Sequence, residues 1–172
     1  LFTDLEPRSA GASGDGYIWK YLFTIDPNSI IKFDSTSFIP LPQNWSTNND
    51  VAAVRNNATT SGQLKIVTIT NRGVGYGTAA TYNNVPIKGD GSGGRCSVVV
   101  NAAGKMDSVE ITNGGSNYTF GSVGLNDVGL TNPSGSTDAA FNVIIPPQGG
   151  HGADIYRELG ANRVLIYSRL EN

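Results

Sequence analysis

One ten-residue phrase occurs twice in this chain and limits what the chain can fold into. Val67–Tyr76 reads VTITNRGVGY and Val109–Tyr118 reads VEITNGGSNY, both fitting Val-x-Ile-Thr-Asn-x-Gly-x-x-Tyr at a spacing of 42 residues. Each phrase opens as a strand, because Val67/Ile69 and Val109/Ile111 place β-branched residues on one face at period two. Each stops at Asn-x-Gly, where a turn needs residues that tolerate positive φ. Gly73 and Gly115 are therefore expected as equivalent structural turns, with Tyr76 and Tyr118 packed in equivalent places. Val98 and Val100 match Val143 and Ile145 at an offset of 45, so the second copy carries about three extra residues. A repeated strand–turn–strand unit buries a face against its twin and needs no chemistry to do so. A structural or binding protein is the first expectation, and an enzyme the second.

At 172 residues the chain is long enough for one domain, or two small ones, with a real core. Gly, Asn, Ser and Thr are abundant and charge is sparse, which favours strands and turns over helix interiors. Twelve Lys and Arg are spread without a basic run, so no nucleic-acid surface is indicated. No stretch is long enough to span a membrane, and no signal peptide is visible. Cys96 is the only cysteine and alternates with Val98 and Val100, as a small buried hydrophobe would. The chain begins at Leu1 and its only methionine is Met106, which suggests processing or a piece of a longer chain.

The strongest strand pattern is YIWKYLFTI over 17–25. It puts Tyr17, Trp19, Tyr21 and Phe23 on one face, with Ile18 and Leu22 on the other. Those four aromatics read either as core or as a protein interface, where Trp and Tyr commonly anchor binding. Asp26-Pro27 suits a helix cap and first position, with a helical turn over 28–33. Residues 43–60 read as a polar linker holding a short apolar segment at Val51–Val54. Strands are expected near 64–70, 84–88, 95–101, 107–112 and 139–145, separated by glycine-rich connections such as GDGSGG at 89–94. Near the C-terminus, Asp154 is placed to cap a short helix that Gly160 ends. The alternation over 162–170 then predicts a half-buried final strand. The shifts in composition near 60 and 148 favour a discontinuous base domain from 1–60 plus 149–172. Residues 61–148 would form an inserted β module of two repeats, about 64–106 and 107–148. The fold class expected is mainly β with minor helix.

No residue pattern points to catalysis. His151 is the only histidine, with Asp154 near it, but it sits among glycines and has no nucleophile elbow to serve. One His and one Cys do not make a common zinc site. GDGSGG lacks the Lys-Ser/Thr ending of a phosphate loop, and Asp90 lacks the neighbours of a calcium loop. Asp107, Glu110, Asp127 and Asp138 could supply a glycosidase pair by number alone, but nothing singles out two of them. No catalytic, cofactor-binding or metal residue is assigned.

The two ends carry a resemblance. GYIWKYLFTIDPNSIIKFDSTSFIPLPQNW (Gly16–Trp45) resembles a segment of the gene-product-eight family, baseplate wedge proteins of T-even-like contractile-tailed phages. GGHGADIYRELGANRVLIYSRLE (Gly149–Glu171) is similar to a second segment of that family. The repeat between them is similar to inserts in members from phages of cyanobacteria. The resemblance covers about a third of the chain directly. It implies part of a longer, non-enzymatic building block of the tail baseplate, assembled in the host cytoplasm and working as a dimer within each wedge. The partners it implies are other wedge proteins, with no nucleic acid, membrane, cofactor or small-molecule substrate. A carbohydrate-binding or glycan-cleaving phage tail module is the alternative, marked by a groove of exposed aromatics and, for cleavage, facing carboxylates.

Overall fold

The computed structural model describes residues 3–9, 17–58, 61–133 and 135–170. The chain is mainly β with few helices, and it divides into two compact units. Unit 1 takes both ends of the chain, Leu1–Thr59 and His151–Asn172, and unit 2 is Thr60–Gly150.

Unit 1 has little regular pairing among its described residues. Strands β1 (Arg8–Ser9) and β2 (Ile18–Trp19) form a two-residue antiparallel ladder, extended by one bond from Tyr21 N to Asp4 O at 2.9 Å. Helix α1 (Pro27–Phe33) starts where the sequence places it. Asp26 accepts from Ser29 N at 3.1 Å, and Pro27 occupies the first turn, where its missing N–H costs nothing. Helix α2 (Ala52–Asn57) lies within the stretch that reads as a polar linker. It follows a 3-10 turn whose cap, Asn48, accepts from Asp50 N; the turn inserts Val51 into the core and the helix inserts Val54. Helix α3 (Ile155–Glu158) is capped by Asp154, which accepts from Tyr156 N and Arg157 N, and Gly160 follows at φ +64°. The core is small: Trp45, Val51, Val54 and Ile155 are buried, with Leu5, Tyr21, Leu22 and Phe23 packed partly against them.

Two expected strands are corrected. Of 17–25, only Ile18–Trp19 is laddered. Residues 162–170 form no strand, and among the described residues none of their backbone groups is paired. Period-two alternation marks a face that suits burial but does not supply the neighbouring strand a ladder requires.

Unit 2 holds the larger core and six strands: β3 (Ile66–Arg72), β4 (Ala80–Gly89), β5 (Arg95–Val100), β6 (Met106–Asn113), β7 (Gly121–Val123) and β8 (Ala139–Ile144). They make a four-stranded antiparallel sheet in the order β6-β5-β4-β7 and a two-stranded pair β3-β8. β5 alternates strictly, burying Cys96, Val98 and Val100 on one face against Val85 and Ile87 of β4. The thiol of Cys96 is pushed up to about 11 by its burial, as expected of an inert core residue.

The two phrases pair in the same register. Val67 faces Val143, Thr68 faces Asn142, Ile69 faces Phe141 and Asn71 faces Ala140. Val109 faces Val98, Glu110 faces Ser97, Ile111 faces Cys96 and Asn113 faces Arg95. Thr70 and Thr112 are each skipped by the ladder, so both copies carry a β-bulge at the same point of the phrase.

Candidate functional site

The aromatic stripe of 17–23 splits into two pairs. Tyr17 and Trp19 stand outside, 67% and 47% exposed, with their rings edge-to-face at 6.1 Å. Tyr21 and Phe23 turn inward, where Phe23 meets Trp45 edge-to-face at 6.2 Å. The divergence begins where β2 ends, since beyond Trp19 no ladder holds the alternation. The candidate interface therefore keeps Tyr17 and Trp19, and Tyr21 and Phe23 belong to the core of unit 1.

Trp45 organises that core. Its indole N–H donates to Gly152 O at 3.0 Å, and its backbone N–H donates to the Tyr156 hydroxyl at 3.2 Å. That hydroxyl donates to Pro42 O at 2.6 Å, and Arg55 donates to the carbonyl oxygens of Trp45 and Asn48. His151 lies in this setting. Its Nδ1 is 2.6 Å from Glu158 Oε1, while Glu158 Oε2 accepts from Gly152 N at 2.8 Å. Burial raises the Glu158 carboxyl, but the hydrogen bonds from His151 and Gly152 outweigh it and hold the group below its usual range. Glu158 braces the glycine–histidine–glycine turn on which Trp45 rests. Asp154, the acidic residue nearest His151 in sequence, is instead engaged as the α3 cap.

In unit 2 the repeated turns match group by group. Gly73 and Gly115 have φ of +61° and +59°. Each donates its N–H to the Asn two residues before it, Asn71 and Asn113, at 2.9 Å. Tyr76 and Tyr118 are both buried. The Tyr76 hydroxyl accepts from Ala139 N at 2.8 Å, and the Tyr118 hydroxyl accepts from Gly94 N at 3.0 Å while donating to Ile87 O at 2.9 Å. The repeat also begins earlier than the phrase shows. Gly62 and Gly104 both have positive φ, Leu64 and Met106 are both fully buried, and Tyr118 N and Tyr76 N donate to Gly62 O and Gly104 O. The Leu-to-Met change hid this part of the match.

GDGSGG at 89–94 is the seat of Tyr118. A Cβ at Gly91 would lie 2.5 Å from the Tyr118 ring, and one at Gly94 would lie 2.7 Å from its hydroxyl. Asp90 accepts from Thr119 N, Thr119 Oγ1 and Phe120 N, and the Thr119 hydroxyl and amide hold its carboxyl down to about 2. Of the other acidic residues weighed, Asp127 pairs with Lys88 at 2.7 Å and Asp107 lies 3.5 Å from Arg72. Among the described residues, no group of three or more His, Cys, Asp or Glu is placed to hold a metal ion, and no helix is long and apolar enough to cross a membrane.

Large exposed apolar side chains are distributed unevenly. Of the sixteen among the described residues, only Val74 and Phe120 belong to unit 2, and the other fourteen belong to unit 1. The most exposed lie along one face of the C-terminal segment: Val164 at 86%, Ile166 at 85% and Leu170 at 96%. Beside them, Tyr167 meets Phe33 edge-to-face and lies under the Lys32 ammonium at 5.1 Å. No protein-family model, curated protein or solved structure matches the chain.

Proposed function

We propose that this chain is a structural subunit of a phage tail baseplate wedge, located in the virion and acting through protein–protein interfaces, without a catalytic role. The observation that carries the reading is the concentration of fourteen exposed apolar side chains in unit 1, the part that holds both family-like segments. Isolated exposed apolar residues need no explanation, but so many in one unit suit contact with other proteins. Residues 162–170 alternate apolar and polar side chains and, among the described residues, have no backbone partner, which suits a strand completed by a neighbouring sheet. The partners proposed are other wedge proteins and a second copy of the chain, with burial of roughly 2,000 Å² or more, as in obligate assemblies.

Trp19→Asp and Ile166→Asp test this. Each is expected to leave circular dichroism and cooperative unfolding unchanged while excluding the protein from assembled tail baseplates, as seen by electron microscopy. Normal incorporation of both variants would overturn the reading. So would turnover of a polysaccharide by the purified protein that one carboxylate substitution abolishes.

A further inference from the structure

Unit 2 is held together mainly by contacts between its two copies of the repeat. With β3, β4 and β5 in the first copy and β6, β7 and β8 in the second, three of the four ladders (β3–β8, β5–β6 and β4–β7) run between copies, and only β4–β5 lies within one. The two phrase ladders are related by a swap. Moving each phrase residue by 42 positions and each partner by 45 turns the β3–β8 register into the β6–β5 register, bulge included. The tyrosine bonds obey the same rule, since Ala139 and Gly94 differ by 45 and cap the closing strand of the opposite copy. So do the close approaches: a Cβ at Gly73 would lie 2.6 Å from Ala139 N, and one at Gly115 would lie 2.5 Å from Gly94 N. Each copy thus offers a phrase and a closing strand that are satisfied only by the other copy. This is the arrangement of an isologous dimer, written within one chain.

We infer that this inter-copy surface is an interaction site for a second molecule of the same chain: the first repeat of one molecule accepts the second repeat of another, and the reverse. Every ladder between copies is preserved in such an exchange, and residues 151–172 travel with the second repeat, so the bonds of Trp45 to Gly152 and Tyr156 are remade with the other molecule and the net cost falls on the connection that must open. That connection is 101–105, a five-residue hairpin loop in which Asn101 Oδ1 accepts from Ala103 N and Lys105 N, and Asn101 N donates to Lys105 O at 2.9 Å. Opening it forfeits those local bonds, the bond from Gly104 N to Asn101 O and the bond from Tyr76 N to Gly104 O, while β5 and β6 keep the same partners in another molecule. The exchange would join neighbouring copies wherever they are held at high local concentration. The inference does not depend on the baseplate reading, because it is argued from the ladders of unit 2.

The test uses the full chain with residues 101–104 deleted, leaving Lys105 alone between β5 and β6. A hairpin needs about two connecting residues, so these strands can no longer pair within one molecule. The expected product is a folded species of twice the chain mass by light scattering, with native circular dichroism. It is expected to be unaffected by Trp19→Asp and Ile166→Asp, which rules out association through the exposed apolar side chains of unit 1. As a second measurement, the unaltered chain is refolded from denaturant over a hundredfold range of concentration. A dimer fraction that rises with refolding concentration and survives dilution is expected. A deletion variant that is a folded monomer would overturn the inference. So would an unfolded deletion variant together with an unaltered chain that refolds only to monomer at every concentration.

Discussion

Unit 2 meets its own requirements and unit 1 does not, although the same kinds of residue build both. In unit 2 each apolar strand face finds a partner: twelve buried residues form one cluster, and the phrases supply each other's neighbours. Among the described residues, unit 1 buries only four in its cluster and leaves alternating segments such as 162–170 without a ladder. Alternation alone therefore does not close a structure. In unit 2 the partner is present, because each phrase is laddered to the closing strand of the other phrase's half of the unit.

The contrast is broken most severely at the repeated glycines. Gly73→Ala and Gly115→Ala each force a positive φ on a residue with a Cβ, and set that Cβ within 2.6 Å of opposing backbone. Each is expected to cost more than about 2 kcal/mol in chemical denaturation. Equal stability of either variant with the parent would remove the turn from the account of unit 2.

Removing a tyrosine hydroxyl is a milder cut that separates the two copies. Tyr118→Phe orphans Gly94 N and Ile87 O, whereas Tyr76→Phe orphans Ala139 N. Unsatisfied buried groups cost roughly 1–3 kcal/mol each, so Tyr118→Phe is expected to be the worse variant in urea melts. The reverse order would show that the two sockets are not used as described.

Much of unit 2 is readable from its residues. Five of its six strands follow from alternation, and the turn follows from Asn-x-Gly with no further information. Which strand pairs with which does not follow, because the phrase and its mate are joined by long-range contacts: Val67 meets Val143 across the whole unit. The three-residue β7 has too little pattern to notice. In unit 1 the caps at Asp26 and Asp154 are local chemistry and were visible, whereas α2 lay inside a stretch that reads as linker. The splitting of Tyr17 and Trp19 from Tyr21 and Phe23 depends on where a ladder stops, and sequence periodicity is silent on that point. His151 stands out as the only histidine, but its partner Glu158 is seven residues on and across a glycine turn.

Asp90 offers a smaller effect, read against pH. Its carboxyl lies near 2 in the folded chain against an ordinary 3.8, so the stability it lends is fully present above about pH 4. That stability is lost as pH falls towards 2 and the carboxylate protonates. Asp90→Asn is expected to flatten the acid side of the stability profile between those values, with little change in slope above pH 5. A variant whose acid limb is as steep as the parent's would contradict the Thr119 contacts. At the bottom of the scale, Val164→Ser and Leu170→Ser are expected to change stability by less than about 0.5 kcal/mol, because these side chains are exposed. A loss above about 1 kcal/mol would mean that they are buried within the chain itself.

The division between a self-closed unit and an open one is tested most directly by amide hydrogen exchange on the full chain at low micromolar concentration. Amides of β5, β6 and the β3–β8 pair are expected to be protected to the limit set by global unfolding. Amides of 163–170 are expected to exchange at the rate of an unstructured peptide and to gain protection only on assembly. Protection of 163–170 in the isolated molecule equal to that of β5 would contradict the account.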